Sequence, residues 1–453
     1  MHPNLVPAAR DAVPVHLVTA AGAKAFVARR AHAGLAAAGF AGREGELMPL
    51  LAGAKLTGWA LGLGDGVDRF GAAMASEKLP PGTYRLGEVP APMGMDQAVL
   101  GWLLGTYKFT RYKPRPGKSP VLVIPAGVDG AEISRIAQAV CLARDLINTP
   151  ANDMGPDDLA AAARTLAKTH GATVKVVRGA ALKKDFPLIA AVGQGSPRPP
   201  CLIDLTWGNP RAPAVTLVGK GVCFDTGGLD LKPSAGMLTM KKDMGGAAVA
   251  LAVAQMVMGA KLKLRLRVLI PAVENSISGH AFRPGDVFPS RKGLTVEIGN
   301  TDAEGRLILA DALALADEAA PQLLLEMATL TGAARAATGM ELPPFFTNDE
   351  QLAADLTRHA MAVDDPVWRL PLWQGYDFAL GSRVADLNNN PAYAYAGAIT
   401  AALFLKRFVT GTQAYAHLDI PAWSDRARPG RPIGGEANSA RAIYALLRER
   451  YSK

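Results

Sequence analysis

Strands and helices alternate along this chain from residue 158 to residue 327, and this alternation constrains the fold more than any other feature. The predicted strands are 173–177, 202–205, 215–218, 262–268, 294–298 and 323–327. The predicted helices of this region are 158–169, a glycine-rich helix from about 246, and 306–319. Such alternation predicts an α/β fold with a mainly parallel sheet flanked by helices. The strand at 262–268 alternates leucine with lysine and arginine, so one of its faces is expected to meet water.

The chain has 453 residues, which is more than one hydrophobic core usually serves, so two domains are expected. We predict a small N-terminal α/β domain at residues 1–130 and a larger α/β domain at residues 151–453. A helix over residues 131–150 links them, because Ile133, Ile136 and other apolar residues recur at helical spacing there.

Composition is that of a globular protein, with 49% hydrophobic and 20% charged residues. The net charge of +9 is modest for this length, so no nucleic-acid partner is expected from it alone. Three scattered cysteines form no disulfide or zinc pattern. The most apolar window, 247–260, contains Gln255 and is too short to cross a bilayer, so it predicts a buried helix. These features, with no signal-peptide pattern at the N-terminus, predict a cytoplasmic protein without a membrane segment.

The segment Asn300–Leu307 sets two carboxylates and an arginine at alternate positions, Asp302, Glu304 and Arg306. If this segment is extended, the three side chains point the same way and converge. Two adjacent acids repel unless a cation holds them, and an arginine suits an anion or a developing negative charge. The segment therefore predicts half of a two-metal hydrolytic site.

Acids also follow other predicted strands and precede a predicted helix. Asp225 lies in a glycine-rich segment after the strand at 215–218, and Asp243 lies just before the helix that begins near 246. Ligands of open α/β sheets bind at the carboxyl ends of strands, so these acids are expected to meet Asp302 and Glu304. Carboxylate oxygens suit Mg, Mn or Zn. The seven histidines are dispersed and form no HExxH, which excludes a zincin-type protease.

The sequence resembles the leucyl aminopeptidase (cytosol aminopeptidase, M17) family. Asn300–Leu307 reproduces the family's signature octapeptide. The other blocks that match are 144–152, 218–221, 240–244, 328–333 and 398–402. The resemblance runs from about Leu142 to the C-terminus and is weak over the first 130 residues, which in the family form an α/β domain used in assembly.

The resemblance implies two divalent metal ions per subunit, with Mn or Zn expected first and Mg compatible with the same ligands. Asp225 and Glu304 would bridge both ions. Asp302 would complete the more loosely held site, partly through its carbonyl. Lys220 and Asp243 would complete the tighter one, and Lys220 would have to be neutral to act as a ligand.

The resemblance also implies roles around the metals. Lys232 would stay charged and act as the electrophile that polarises the scissile carbonyl. Arg306 would hold a bicarbonate that acts as general base toward the attacking water. Met240, Thr329 and Gly332 would line the pocket for the first side chain of the substrate.

The resulting hypothesis is a metal-dependent aminopeptidase that hydrolyses the N-terminal peptide bond of short peptides with a free N-terminus. The resemblance implies a homohexamer. Two alternatives stay open: a dimetal phosphoesterase, which would use the same carboxylates, and an added nucleic-acid-binding role. Lys241 and Lys242 are interpreted as solvated side chains, and His280 and His417 as structural ones.

Overall fold

The structure, a computed structural model, describes residues 1–30, 33–114 and 117–452. It divides into two compact units. One consists of Met1–Cys141 with Arg426–Ile433, and the other of Leu142–Asp425 with Gly434–Lys453. The long helix Gly130–Asn148 contributes residues to both, and the boundaries predicted at 130 and 150 lie near its ends.

The first unit is built on a sheet that is parallel except at one edge. Within the described residues, its strands in spatial order are Leu5–Val6, Val121–Val123, Thr83–Leu86, Val13–Val18, Lys55–Gly62 and Leu47–Ala52. Only the last pair is antiparallel. The helices are Ala20–Arg30, Ala33–Ala37, Ala73–Lys78 and Met95–Gly105. Met95–Gly105 is buried from Ala98 onward, as expected of a helix with apolar residues on every side.

The second unit is organised around a larger mixed sheet. Its strands in spatial order are Trp368–Arg369, Pro344–Phe346, Tyr415–Asp419, Leu323–Ala328, Ala214–Gly219, Arg265–Asn275, Cys201–Trp207 and Thr173–Arg178. A ninth strand, Gly221–Asp225, pairs with Arg265–Asn275. The central pairs are parallel, and antiparallel pairs lie toward the edges. The predicted α/β class with a mainly parallel sheet is therefore confirmed.

Helices and two small sheets complete this unit. The helices, including short 3₁₀ turns, are Ala151–Asp153, Pro156–His170, Gly179–Asp185, Pro187–Gly193, Ser234–Met237, Met240–Met244, Gly245–Gly259, Glu304–Asp317, Gly332–Thr338, Glu350–Ala362, Gln374–Leu380, Gly397–Lys406 and Ala440–Tyr451. One small sheet contains Val287–Pro289, Thr295–Glu297 and Leu387–Asn388, and the other contains Trp423–Ser424 and Gly434–Gly435.

The apolar window predicted to be a buried helix is Gly245–Gly259, which packs against the central strands and is buried along almost its whole length. No helix within the described residues is long and apolar enough to span a membrane. The strand predicted at 262–268 is wrong in position: the strand runs from Arg265 to Asn275, and exposure alternates only at its first residues. It lies between two strands and under helices, so both of its faces are covered.

Candidate active site

The candidate site lies where the carboxyl ends of the parallel strands meet. Lys220 immediately follows the strand Ala214–Gly219, and Asp225 ends the next strand. Asp243 lies in the 3₁₀ turn Met240–Met244, which leads into the buried helix. The turn is held by its own backbone and by Thr329, whose hydroxyl donates to Asp243 Oδ1 at 2.7 Å.

The octapeptide does not form an extended segment, and this prediction is wrong in its geometry. Residues 301 and 302 form a turn, and a helix begins at Glu304. Asn300 caps the turn by accepting a hydrogen bond from the Asp302 N–H at 2.7 Å. Asp302 and Glu304 nevertheless converge with Asp225, with one oxygen of each within 4.8 Å of the others. They meet because a turn and a helix start bring them together, not because alternate residues share a face.

Two lysines lie among the four carboxylates. The Lys220 ammonium lies 2.9 Å from both Asp243 Oδ2 and Glu304 Oε1. The Lys232 ammonium lies 2.9 Å from Asp225 Oδ2 and contacts Asp302 as well. Lys220, Asp225, Asp243 and Glu304 are buried, whereas Asp302 keeps 32% of its side chain exposed. The cluster thus holds more negative than positive charge inside the protein.

The lysine pKa values report this excess. Burial disfavours the charged ammonium of Lys220, but Asp243, Glu304 and Asp225 outweigh it and raise its pKa above the ordinary value. The pKa of Lys232 is likewise raised, because Asp225 and Glu304 outweigh the effect of burial. A lysine that binds metal must be neutral, so Lys220 requires further positive charge nearby to fill that role.

The pKa values of two acids in the cluster are raised as well. Burial, followed by the charge of Asp225, raises the pKa of Glu304 to about 8. The same two causes raise the pKa of Asp302 to about 6. Glu304 Oε1 and Asp243 Oδ2 are buried and, apart from the Lys220 ammonium at 2.9 Å, have no donor among the described residues. Crowded, incompletely satisfied carboxylate oxygens are the donor set that divalent cations bind, so these residues fit a metal centre.

Glycine permits the close approach within the cluster. A Cβ atom added to Gly305 would lie 2.6 Å from Lys220 Nζ, so any other residue would push the lysine away. Gly227 has a φ of +89°, and a Cβ there would meet Asp302 Oδ1 at 3.2 Å. Both glycines therefore shape the cluster.

Arg306 lies in the first turn of the helix that begins at Glu304 and is buried. Its Nη1 donates to the Asn389 carbonyl at 2.7 Å, while its Nε has no partner among the described residues. Burial is the main cause that lowers its pKa, to about 10. The guanidinium thus retains capacity to bind an anion.

A cavity of about 510 Å³ opens onto the cluster. It is lined by all ten residues singled out from the sequence: Lys220, Asp225, Lys232, Met240, Asp243, Asp302, Glu304, Arg306, Thr329 and Gly332. The Thr329 hydroxyl is engaged by Asp243, and its carbonyl accepts from the Lys220 ammonium at 2.9 Å. The residues predicted to bind metal and substrate thus share one cavity.

Sequence analysis missed residues that hold the cluster in place. Asn275 donates to Asp225 Oδ1 at 2.8 Å and to the Thr301 carbonyl at 3.0 Å. Asn389 accepts from the Gly299 N–H at 2.7 Å and donates to the carbonyls of Asn300 and Ala303. Asn275 ends a central strand, and that position could have identified it as a residue of the site. Asn389 is far in sequence from the segment it holds, so the sequence gave no such indication.

The interpretation of Lys242 as a solvated side chain is wrong. Lys242 is 4% exposed and lines the cavity, because the 3₁₀ turn directs it inward beside Asp243. Arg335 lines the same cavity and was not singled out. His417 is fully buried and pairs with Glu326, as expected for a structural histidine.

Comparison with known proteins matches both parts of the chain. The profile of the cytosol aminopeptidase family, catalytic domain, matches residues 141–444. That of the M17 aminopeptidase N-terminal domain matches residues 13–125, so the family extends through the region that resembled it only weakly by motif.

Individual relatives support the same family. A probable cytosol aminopeptidase of Syntrophotalea carbinolica is 38% identical over 449 residues, covering 90% of each chain. The structure of a cytosol aminopeptidase from Coxiella burnetii is 44% identical and covers 99% of each chain with a TM-score of 0.94. That of the bottromycin maturation enzyme BotP in complex with Mn is 36% identical, with a TM-score of 0.87, and covers 98% of this chain and all of that one. The chain therefore belongs to the cytosol aminopeptidase (M17) family of metallo-exopeptidases.

Proposed function

We propose that this protein is a two-metal aminopeptidase of the leucyl aminopeptidase type, which removes the N-terminal residue from short peptides. The observation that carries the proposal is the excess of buried carboxylates over lysines at the wall of the cavity. Added positive charge would stabilise such a cluster. The similarity to BotP, whose structure is a complex with Mn, supports a metal in this cluster.

Asp225 and Glu304 would bridge the two ions, Asp302 would complete one site, and Lys220 with Asp243 would complete the other. The buried oxygens Glu304 Oε1 and Asp243 Oδ2, which have no donor among the described residues besides the Lys220 ammonium, support this assignment. Mn, Zn and Mg all suit carboxylate ligands. When bound, the ions would polarise the scissile carbonyl and lower the pKa of a water molecule.

Lys232 would remain charged and donate to the scissile carbonyl oxygen as negative charge develops there. Its raised pKa, its contacts with Asp225 and Asp302, and its place on the cavity wall support this role. Because two carboxylates hold the ammonium, it is oriented before the substrate arrives.

Arg306 would hold a bicarbonate at the cavity, and this anion would supply a general base for the attacking water. The guanidinium is buried and anchored through Nη1 to Asn389, and its Nε is available. Met240, Thr329 and Gly332 would surround the first side chain of the peptide. Their shared position on the cavity wall supports this part of the proposal.

The proposal extends to the assembly and compartment. We infer a homohexamer from the family resemblance, which sedimentation or light scattering of the purified protein would test. A cytoplasmic location agrees with the names of the relatives and with three cysteines that form no disulfide within the described residues.

The decisive experiment measures initial rates on leucine p-nitroanilide and on its N-acetylated form, with and without added Mn²⁺. The variants are Asp302→Ala and, as a matched control, Asp157→Ala, whose exposed carboxylate pairs with Arg178 away from the cavity lining. We expect metal-dependent release from the free amine only, lost in Asp302→Ala and retained in the control. No release from a protein shown to hold two metals would contradict the proposal and direct the search to phosphate esters.

A further inference from the structure

Two cationic side chains on the cavity wall are not used by the proposed chemistry. Lys242 and Arg335 both line the cavity. Lys242 is 4% exposed, and Arg335 is half-buried. Within the described residues, neither side chain has a hydrogen-bond or ion-pair partner. Buried charges are normally paired, so a buried lysine and a half-buried arginine that face one cavity without partners point to an anionic ligand.

Asp243 and Asp419 act on Lys242 through their charge, but neither forms a hydrogen bond or ion pair with it within the described residues. Asp243 is engaged by Lys220 and by the Thr329 hydroxyl. Asp419 accepts from the Thr331 hydroxyl at 2.6 Å and from the backbone N–H groups of Leu330 and Thr331. Both acids therefore have other donors at hydrogen-bonding distance, whereas Lys242 and Arg335 both line the cavity.

The two cations lie beside the pocket proposed for the first side chain. Lys242 follows Met240 by two residues in the same 3₁₀ turn. A Cβ atom added to Gly332 would lie 3.7 Å from Arg335 Nη2, so the guanidinium lies over that glycine. An arginine in this position presents a planar pair of donors that matches a carboxylate.

We propose that this pocket selects a carboxylate on the N-terminal residue, so that peptides beginning with glutamate or aspartate are preferred substrates. Arg335 would donate to the side-chain carboxylate, and Lys242 would contribute a second positive charge. The inference rests on the proposed aminopeptidase function and names the substrate class of the same site. The other source of a carboxylate is the C-terminus of a dipeptide, and the experiment separates the two.

The test compares p-nitroanilides of glutamate, glutamine and leucine with the metal-loaded protein. Glutamate and glutamine have the same shape and differ in charge, so the ratio of their kcat/KM values isolates the carboxylate. We expect a ratio of about 10 or more in the wild type, the strength of one charged hydrogen bond. Arg335→Gln should lower that ratio by about tenfold, and Arg335→Lys should lower it less.

Arg164→Gln is the matched control, because Arg164 is exposed on the helix Pro156–His170, which contributes nothing to the lining of the cavity. Its glutamate-to-glutamine ratio should equal that of the wild type. A ratio near one in the wild type, unchanged by Arg335→Gln while leucine is released, would overturn the inference and leave the aminopeptidase proposal standing. No release from any anilide would instead overturn the proposed function.

A second arm compares Leu-Gly with Leu-Gly amide. If the cations hold the C-terminus of a dipeptide, the free acid will be preferred, Arg335→Gln will remove that preference, and the anilide ratio will stay near one. That pattern would contradict selection at the first side chain. Circular dichroism and thermal melting of each variant establish that the ratios come from folded protein.

Discussion

Two groups of acids and bases in the second unit differ in how their charge is balanced: one lies within the sheet and the other at the ends of its strands. Glu326 and His417 face each other on adjacent parallel strands, and both are fully buried. Their side chains form a direct pair, and the His417 ring stacks on Phe346 at a centroid distance of 5.5 Å. Burial opposes the charged imidazolium, but Glu326 outweighs it and raises the pKa of His417.

The cluster at the cavity has no such internal balance. Four carboxylates meet two lysines, and burial with Asp225 raises the pKa of Glu304 to about 8. A buried group that neutralises itself can serve the fold alone. A buried group with uncompensated charge at a cavity calls for a ligand from outside, at a cost to the stability of the protein without it.

The largest expected effect comes from removing charge at the cavity. Glu304→Gln should lower kcat/KM on leucine p-nitroanilide by roughly 10³-fold, equivalent to about 4 kcal/mol, because a proposed bridging ligand is lost. Metal-free Glu304→Gln should melt no lower than the metal-free wild type, because a repelled carboxylate has been removed. Activity within tenfold of the wild type would show that Glu304 does not act as proposed.

Removing charge from the balanced pair should have the opposite consequence. Glu326→Leu should reduce the free energy of unfolding by about 3 kcal/mol, because His417 loses its buried partner. The kcat/KM of the folded protein should stay within about threefold, since Glu326 does not line the cavity. Denaturant unfolding measures the change in the free energy of unfolding, and initial rates on leucine p-nitroanilide measure the change in kcat/KM. The double variant Glu326→Leu with His417→Phe should recover part of the lost stability. If Glu326→Leu lost most of its activity and kept its stability, the pair would serve catalysis and not the fold.

Added metal should stabilise the protein through the carboxylate cluster at the cavity and not through the Glu326–His417 pair. Mn²⁺ at about 100 times its dissociation constant should stabilise the chelator-treated wild type by roughly 3 kcal/mol. Glu326→Leu should gain a similar amount, whereas Glu304→Gln should gain much less. Calorimetric melting across a Mn²⁺ series measures all three, and equal gains in the two variants would mean that the metal binds elsewhere.

The smallest expected effect tests packing within the cluster. Gly305→Ala should lower kcat/KM about tenfold, because the added methyl group would meet Lys220 Nζ at 2.6 Å and the lysine must shift. Gly279→Ala is the control, since a Cβ there meets no atom within 4 Å. Equal activity of the two variants would show that the position of Lys220 is not critical.

Much of the site could be predicted because its residues lie in short segments of recognisable chemistry. Asp225, Asp243, Asp302 and Glu304 follow strand ends or precede helix starts, and the octapeptide identifies the family. Lys242 shows the limit of such reasoning. Its neighbours in sequence do not reveal whether it faces water, and only the 3₁₀ turn directs it into the cavity.

The sequence by itself determined the α/β class, the mainly parallel sheet and the residues of the acidic segments, because periodicity and strand-end chemistry are local properties. Only the tertiary structure decided that Asp302 and Glu304 meet through a turn and a helix start, that Asn389 holds that turn, and that Arg335 joins Lys242. The turn at residues 301 and 302 departs from the extended backbone that the sequence pattern suggested, and the positions of Asn389 and Arg335 depend on how elements far apart in the chain pack.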